Sequence, residues 1–317
     1  SKGVFVLVGP LYHMVDARRA WEDMLPPALV ALAIFSLISS ACYVVNDIVD
    51  VERDRLHPRK RNRPLPRGEV SVPQAWTFAA LLALGAAALH ALLPAAIVPW
   101  VAAYAALFAL NVTLYSYWLK NLAIADVSSL SLGFVLRVLG GCAAVGIAPT
   151  TWLLNCTLFL AMFLAFGKRL GERQAMERAG IEAAGVRRVH ASYSLELLRM
   201  AVVVTAVATL LSYAGYVTDR APDIVGRGTE IAARGGGETS VAAAQGAPGS
   251  PANGGPASLN WLWLTMLPAT FGVLRAMVLL ERGTYDDPTE LATRDRAFQL
   301  SALAFAALTV AAFAAGR

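Results

Sequence analysis

Charge is scarce in this chain. Only 15% of its 317 residues are Asp, Glu, Lys or Arg, and none of these lies between Met24 and Val45 or anywhere from Val70 to Leu119. A water-soluble domain needs charge over its core, so runs of this length exclude one and mark a chain that sits in lipid. Cysteine is equally thin. Cys42, Cys142 and Cys156 all fall inside apolar stretches, where a thiol packs as a small hydrophobe, and neither a disulfide framework nor a zinc spacing is present. The four histidines are scattered without metal-ligand spacing. A glycine-rich phosphate loop of the Walker type and a nucleophile elbow are also missing. The chain opens Ser1-Lys2 with no basic stretch leading into an apolar region and a small-residue cleavage site, so no secretory signal peptide is expected.

What is present is apolar sequence in blocks, with 57% of the residues hydrophobic. The blocks predict an all-α polytopic membrane protein with about nine transmembrane helices around a cytosol-facing central cavity. They are Val4 to Met14, Met24 to Val45, two within Val70 to Leu119 separated near Leu93-Pro94, and about 122–145, 150–168, 195–217, 259–280 and 297–315. The basic residues set the orientation. Arg53, Arg55, Arg59, Lys60, Arg61, Arg63 and Arg67 follow the second block, and Lys120 follows the fourth. Lys168, Arg169, Arg173, Arg178, Arg187 and Arg188 follow the sixth, and Arg282, Arg294 and Arg296 precede the last. With that count all four groups share one face, which an excess of Lys and Arg makes cytosolic. The expectation is a multi-pass plasma-membrane protein, one domain over 1–317, with its polar residues facing the cytoplasm. Thr218 to Ala257 is rich in Gly, Ala, Pro and Ser and reads as a flexible extracytoplasmic loop, 218–257, with too little to bury. Nothing signals an oligomeric state, and no nucleic-acid partner is expected.

Residues 46–54 read Asn-Asp-Ile-Val-Asp-Val-Glu-Arg-Asp. Asp47, Asp50 and Asp54, at i, i+3 and i+7, lie within roughly 60° of one another on a helix. Three carboxylates facing one way at a membrane surface repel unless a cation sits among them, and hard oxygen ligands near phosphate chemistry suggest Mg²⁺. The alternative is a solvated helix end. His57-Pro58-Arg59-Lys60-Arg61-Asn62-Arg63-Pro64 follows, its prolines stopping the helix so that the cations sit in a loop beside the carboxylates. Lys60, Arg61 and Arg63 either grip a diphosphate or, like Arg67, only enforce topology. Lys120 ends the run Tyr115-Ser116-Tyr117-Trp118-Leu119-Lys120; it either snorkels to the headgroups or neutralises a phosphate. Tyr115 and Trp118 read equally as interfacial aromatics.

Asp126 and Arg137 share a helix face to within about 20° and are separated by roughly 16 Å along the axis, which leaves Arg137 near mid-membrane. A guanidinium there costs at least about 2.5 kcal/mol unless it meets a polar cavity or a partner. The expectation is a water-filled cavity with Asp126 at its mouth and Arg137 deeper in. The alternative is a structural pairing of Asp126 with Arg137, or of Arg137 with a carbonyl. Gly167-Lys168-Arg169 through Arg173 offers cations for a second phosphate, or forms a plain membrane-edge cluster. Arg294-Asp295-Arg296 reads as a salt-bridged turn without chemistry.

Residues 46–54 followed by Lys60-Arg61-Asn62-Arg63-Pro64-Leu65 resemble the first signature of the UbiA superfamily of intramembrane prenyltransferases, and Tyr115 to Lys120 resembles its tyrosine-lysine signature. The likeness covers nearly the whole chain apart from 218–257. Within the superfamily the chain is most similar to the decaprenyl-phosphate phosphoribosyltransferase branch. That closer likeness rests on Val45 to Pro64, Leu119 to Gly141, Gly167-Lys168-Arg169 with Glu172, and Asp287-Pro288 through Arg296. Superfamily members that use prenyl diphosphates share a second aspartate-rich motif after the sixth span, whereas Lys168 to Tyr193 holds no aspartate.

The resemblance implies a donor, 5-phosphoribosyl 1-diphosphate, whose diphosphate is held by Mg²⁺ on the catalytic carboxylates Asp47, Asp50 and Asp54. It implies a polyprenyl (decaprenyl) phosphate as acceptor, on a route to an arabinan cell-wall precursor. Asn46, Lys60, Arg61, Arg63, Tyr115, Lys120, Asp126, Arg137, Lys168 and Arg169 are the candidate substrate-binding residues. Two other functions stay open: a prenyltransferase moving an isoprenoid to an aromatic acceptor, and a lipid carrier without chemistry.

Overall fold

A computed structural model describes residues 2–11, 21–56, 60–178, 192–235, 261–283 and 293–315, and within these the chain is helical with no strand. Its helices are α1 (Trp21–Val49), α2 (Val51–Leu56), α3 (Val72–Leu89), α4 (Val98–Tyr117), α5 (Ala125–Ala144), α6 (Thr151–Arg178), α7 (Leu195–Gly235), α8 (Met266–Glu281) and α9 (Arg296–Ala315). Seven stretches among the described residues are long and apolar enough to cross a membrane: α1, α3 to α6, Leu195–Asp219 of α7, and Leu262–Glu281 containing α8. The apolar part of α9, Arg296–Ala312, is shorter. The first expected block is described only as far as Leu11, as a 3₁₀ turn running into a helical one. The protein is an integral membrane protein. Helix α7 continues to Gly235, into the segment read from composition as a loop, and 236–260 lie outside the described residues, as do Arg59, Arg187, Arg188 and Asp287-Pro288.

Local sequence explains the boundaries. Helix α3 starts at a capping box, with the Gln74 N–H donating to Ser71 Oγ at 3.4 Å and the Ser71 N–H donating to Gln74 Oε1 at 2.9 Å. The break expected near Leu93-Pro94 is real. A 3₁₀ turn at His90–Leu92 ends α3, Leu93 is extended, and α4 begins with Pro99 in its first turn, where a missing N–H costs nothing.

Two large apolar cores hold the bundle, with two smaller clusters beside them. One joins α5, α6, α7 and α8 through Val127, Phe163, Leu170, Leu198 and Leu280. The other joins α1, α4, α5 and the N-terminal turn through Val6, Ile34, Phe35, Val101 and Phe108. Between lipid-facing helices close approach depends on small residues, and α5 supplies Gly140 and Gly141. A methyl on Gly140 would overlap the Phe35 ring, and one on Gly141 would overlap the Val6 backbone carbonyl. Because backbone cannot swing aside as a side chain can, Gly141→Ala is expected to destabilise by about 1–3 kcal/mol, read as a lower unfolding temperature in detergent.

The expected salt-bridged turn at Asp295 has a different partner. Arg275 of α8 donates to Asp295 Oδ2 at 2.8 Å and to Oδ1 at 3.3 Å, while the Phe298 N–H donates to Oδ1 at 2.8 Å. The side chain thus caps α9 and ties it to α8. The Arg275 bond, then the Phe298 N–H, hold this carboxyl below its ordinary range. A depressed folded pKa contributes stability that is present above the unfolded value and lost as pH falls through the folded one. Thermal melts of wild type and Arg275→Met should therefore differ by a constant amount near neutral pH and converge below about pH 4.

Candidate functional site

Helix α1 ends at Val49 and α2 resumes at Val51, so Asp50 occupies a turn in an otherwise continuous path. The Asp50 N–H donates to Asn46 O at 2.9 Å, and the Asp54 N–H donates to Asp50 O at 2.8 Å. That continuity keeps Asp47 and Asp54 together. Arg63 Nη1 donates to Asp47 Oδ1 at 2.7 Å and to Asp54 Oδ2 at 3.1 Å. Asp50 turns instead to Lys120, whose ammonium lies 3.0 Å from both carboxylate oxygens. Lys120 is only 4% exposed and Asp54 2%, so Lys120–Asp50 and the Asp54 end of the Arg63 bridge are partly desolvated, whereas Arg63–Asp47 is an exposed pair.

The three carboxylates thus lie at one end of the bundle, but they do not aim at a common point as the helix spacing predicts. Among the described residues no three Asp, Glu, His or Cys side chains converge on one metal position. The turn at Asp50 re-aims one carboxylate, and each negative charge settles on the nearest cation. Of the other candidates nearby, Asn46 and Tyr115 are half-buried and Arg61 is exposed, while the Lys60 side chain lies outside the described residues. Tyr117 and Trp118 are exposed, as interfacial aromatics would be.

A second cluster forms at the start of α5. Asp126 has no exposure, and Arg169 and Tyr193 make three hydrogen bonds to it and to its neighbour Glu172. Arg169 Nε donates to Oδ2 at 2.8 Å, Tyr193 OH donates to Oδ1 at 2.6 Å, and Arg169 Nη1 donates to Glu172 at 2.6 Å. A carboxylate so enclosed does not line the mouth of an open cavity, which corrects the sequence expectation. Its charge partner is Arg169 of α6, not Arg137. Tyr193 OH also accepts the Ile124 N–H at 2.6 Å. Burial, then the bond to Asp126, push the Tyr193 hydroxyl up, so it stays protonated and remains a donor. Ile124 itself has φ 67° and ψ −46°, with the Ala125 N–H reaching Ala123 O at 2.8 Å. That is a γ-turn of the positive-φ kind on a β-branched residue, a conformation that costs about 1–3 kcal/mol unless its surroundings impose it.

Arg137 lies deeper in α5 and is 6% exposed. Its guanidinium carbon stands 4.3 Å from the Phe108 ring centroid and 5.5 Å from that of Phe134. It donates to Gly133 O at 3.2 Å and to Ser39 Oγ at 3.4 Å, while its buried Nε has no partner. Cation–π contact and a carbonyl, not a carboxylate, therefore offset its burial. Lys168 is exposed on the far side of the Arg169 turn.

The sequence profile of the UbiA prenyltransferase family matches residues 4–222. The chain is 30% identical to decaprenyl-phosphate phosphoribosyltransferase of Mycolicibacterium smegmatis, over 96% of this chain and 86% of that one. It is also 30% identical to the protein of that name from Mycobacterium tuberculosis, over 99% and 91%. The chain belongs to the UbiA prenyltransferase family. A solved UbiA homologue from Archaeoglobus fulgidus, bound to DMAPP and Mg²⁺, superposes with TM-score 0.60 at 14% identity, covering 99% of this chain and 93% of that one, which shows the shared fold. The protein is accordingly a UbiA-family transferase similar over nearly its full length to proteins named decaprenyl-phosphate phosphoribosyltransferase.

The UbiA fold raises the question of a divalent cation, and the donor set here fits one. Arg63 Nη1 bridges Asp47 and Asp54, so two of the three carboxylates, though not Asp50, already meet at one cationic group, and their hard oxygens suit a divalent cation in charge and ligand type. The residues missed from sequence are Tyr193, Ser39 and Arg275, while Glu172 entered only as part of the family resemblance. Only Tyr193 carried a usable signal, a polar aromatic at the start of a span.

Proposed function

We propose that this UbiA-family protein transfers 5-phosphoribose from 5-phosphoribosyl 1-diphosphate to a polyprenyl (decaprenyl) phosphate, with Mg²⁺ as cofactor. The observation that carries the reading is the pairing of Asp47, Asp50 and Asp54 with Arg63 and Lys120 at one end of the bundle, in a chain whose relatives of that name match it nearly end to end. The absence of aspartate from Lys168 to Tyr193 supports it.

Asp47, Asp50 and Asp54 would hold the cation, which when bound neutralises the diphosphate and stabilises it as it leaves. Arg63 and Lys120 would release part of their hold on the carboxylates and take up diphosphate oxygens, with Lys60, Arg61 and Asn46 alongside. The bond from the anomeric carbon to diphosphate breaks, and a bond from that carbon to an oxygen of the lipid phosphate forms. That phosphate is already anionic, so no general base is needed and none is assigned. Arg137, with an unpartnered Nε, and Lys168 are the cations proposed for the lipid headgroup, with Tyr115 beside them and the buried Asp126–Arg169 pair bracing the bundle behind. An apolar cavity of about 470 Å³, walled by Phe5, Phe163, Tyr213, Tyr216, Phe298 and Phe305, suits an isoprenoid tail. We read the chain as one plasma-membrane domain with the site facing the cytoplasm, since the basic residues gather beside the carboxylates.

The test is incubation of the purified protein with Mg²⁺, radiolabelled phosphoribosyl diphosphate and decaprenyl phosphate. Label should pass to the lipid fraction with release of diphosphate. A second reading, isoprenoid transfer to an aromatic acceptor, is kept open by the DMAPP-bound homologue. Consumption of a prenyl diphosphate, with indifference to the sugar diphosphate, would establish it instead.

A further inference from the structure

We infer that Tyr193 is a positioning residue for Lys120: its hydroxyl clamps the strained turn at Ile124 and so fixes the connection that presents the Lys120 ammonium to Asp50. The inference rests on the reading of Asp50 and Lys120 as part of the diphosphate site.

Lys120 sits in a 3₁₀ turn, Leu119–Asn121, in the link between α4 and α5. That link has little slack. The Asn121 N–H donates to Trp118 O and the Leu122 N–H to Leu119 O, each at 3.1 Å, and the Asp126 N–H donates to Leu122 O at 3.0 Å. Any change at Ile124 therefore moves the Lys120 turn. Ile124 holds its positive φ against its own branched Cβ, and the bond that opposes relaxation comes from Tyr193. The ring of Tyr193 cannot follow a moving turn. It is 1% exposed, stands edge-on to Phe166 at 6.4 Å, and packs among Val127 and Leu198. Its hydroxyl is aimed by a second bond to Asp126, itself held by Arg169. The clamp thus runs from a buried ion pair, through one hydroxyl, to one backbone N–H four residues beyond Lys120. The ordinary role of a buried tyrosine is to fill space, which Phe does equally well, so removal of the hydroxyl separates the two roles.

The test uses the full chain in nanodiscs and compares wild type, Tyr193→Phe, and Tyr193→Phe combined with Ile124→Gly. Glycine meets no Cβ penalty at positive φ, so the turn persists without the clamp. The first readout is acylation of lysines by an amine-reactive acetyl ester, followed by mass spectrometry, with exposed Lys168 as internal reference. Lys120 should be protected in wild type and label about tenfold faster in Tyr193→Phe, the change expected for loss of one hydrogen bond. The double variant should recover most of the protection. The second readout is KM for phosphoribosyl diphosphate, which should rise in Tyr193→Phe by a similar factor and fall back in the double variant. A space-filling tyrosine would change the yield of folded protein and leave KM and the Lys120-to-Lys168 labelling ratio alone, and that result overturns the inference. Failure of the double variant to recover either readout overturns it too, including the case in which Tyr193→Phe alone does not fold. Absence of any phosphoribosyl lipid from wild type would count against the proposed function, while the labelling ratio still decides the role of Tyr193.

Discussion

Asp50→Asn is expected to lower turnover by about 10²-fold or more, because it removes one charge from the set proposed to hold a cation against the departing diphosphate. The substitution keeps the size of the side chain, and its amide oxygen can still accept from Lys120. The pair it weakens is partly desolvated, with Lys120 4% exposed, so some stability is lost as well, since removing one partner leaves the other buried with its interaction uncompensated. Asp50→Asn combined with Lys120→Met removes that second effect. The double variant should recover the melting temperature in detergent without recovering turnover. Full activity of Asp50→Asn at saturating Mg²⁺ would remove Asp50 from the site.

Arg169→Met is expected to give the largest loss of stability of any single change in the bundle. Asp126 has no exposure, and Arg169 Nε lies 2.8 Å from it; Met leaves that buried carboxylate with a single tyrosine hydroxyl for support. Breaking a buried pair from one side costs about 3–5 kcal/mol, which for a protein of this size lowers the melting temperature by about 10 °C. Replacing both partners, as in Arg169→Met with Asp126→Leu, should return most of it, because two well-packed apolar groups carry no unpaired charge. A single variant that melts as wild type does would mean that water reaches Asp126.

The fold was legible where lipid imposes a simple rule. Charge-free runs located α1, α3 and α4, and Pro94 located the break between two of them, because unsatisfied backbone is intolerable in hydrocarbon. Arg137 was legible as an anomaly, since its cost forces some partner. A backbone carbonyl was among the alternatives and Gly133 O supplies it, but Phe108 and Ser39 were not legible, because they arrive from other helices through packing that no local spacing encodes. The same limit misassigned Asp126. Its spacing to Arg137 along α5 was sound, but the cation that meets it comes from α6, and helix geometry says nothing of that. Asp47, Asp50 and Asp54 were legible as a cluster, whereas the turn that sends Asp50 toward Lys120 was not, for no Gly or Pro marks it. Ile124 is the extreme case. A positive φ predicts Gly or Asn, and a branched residue there can be read only from the tertiary clamp that imposes it.

The central claim is that Asp47, Asp50 and Asp54 anchor a divalent ion that holds the sugar diphosphate. The most direct measurement is anomalous scattering from crystals grown with Mn²⁺ and phosphoribosyl diphosphate. A manganese peak is expected within coordination distance, about 2.2 Å, of the carboxylates of Asp47, Asp50 and Asp54, with diphosphate oxygens completing its shell and Arg63 moved from the carboxylates to the phosphates. Sugar diphosphate bound in the bundle with no metal at these aspartates would contradict it.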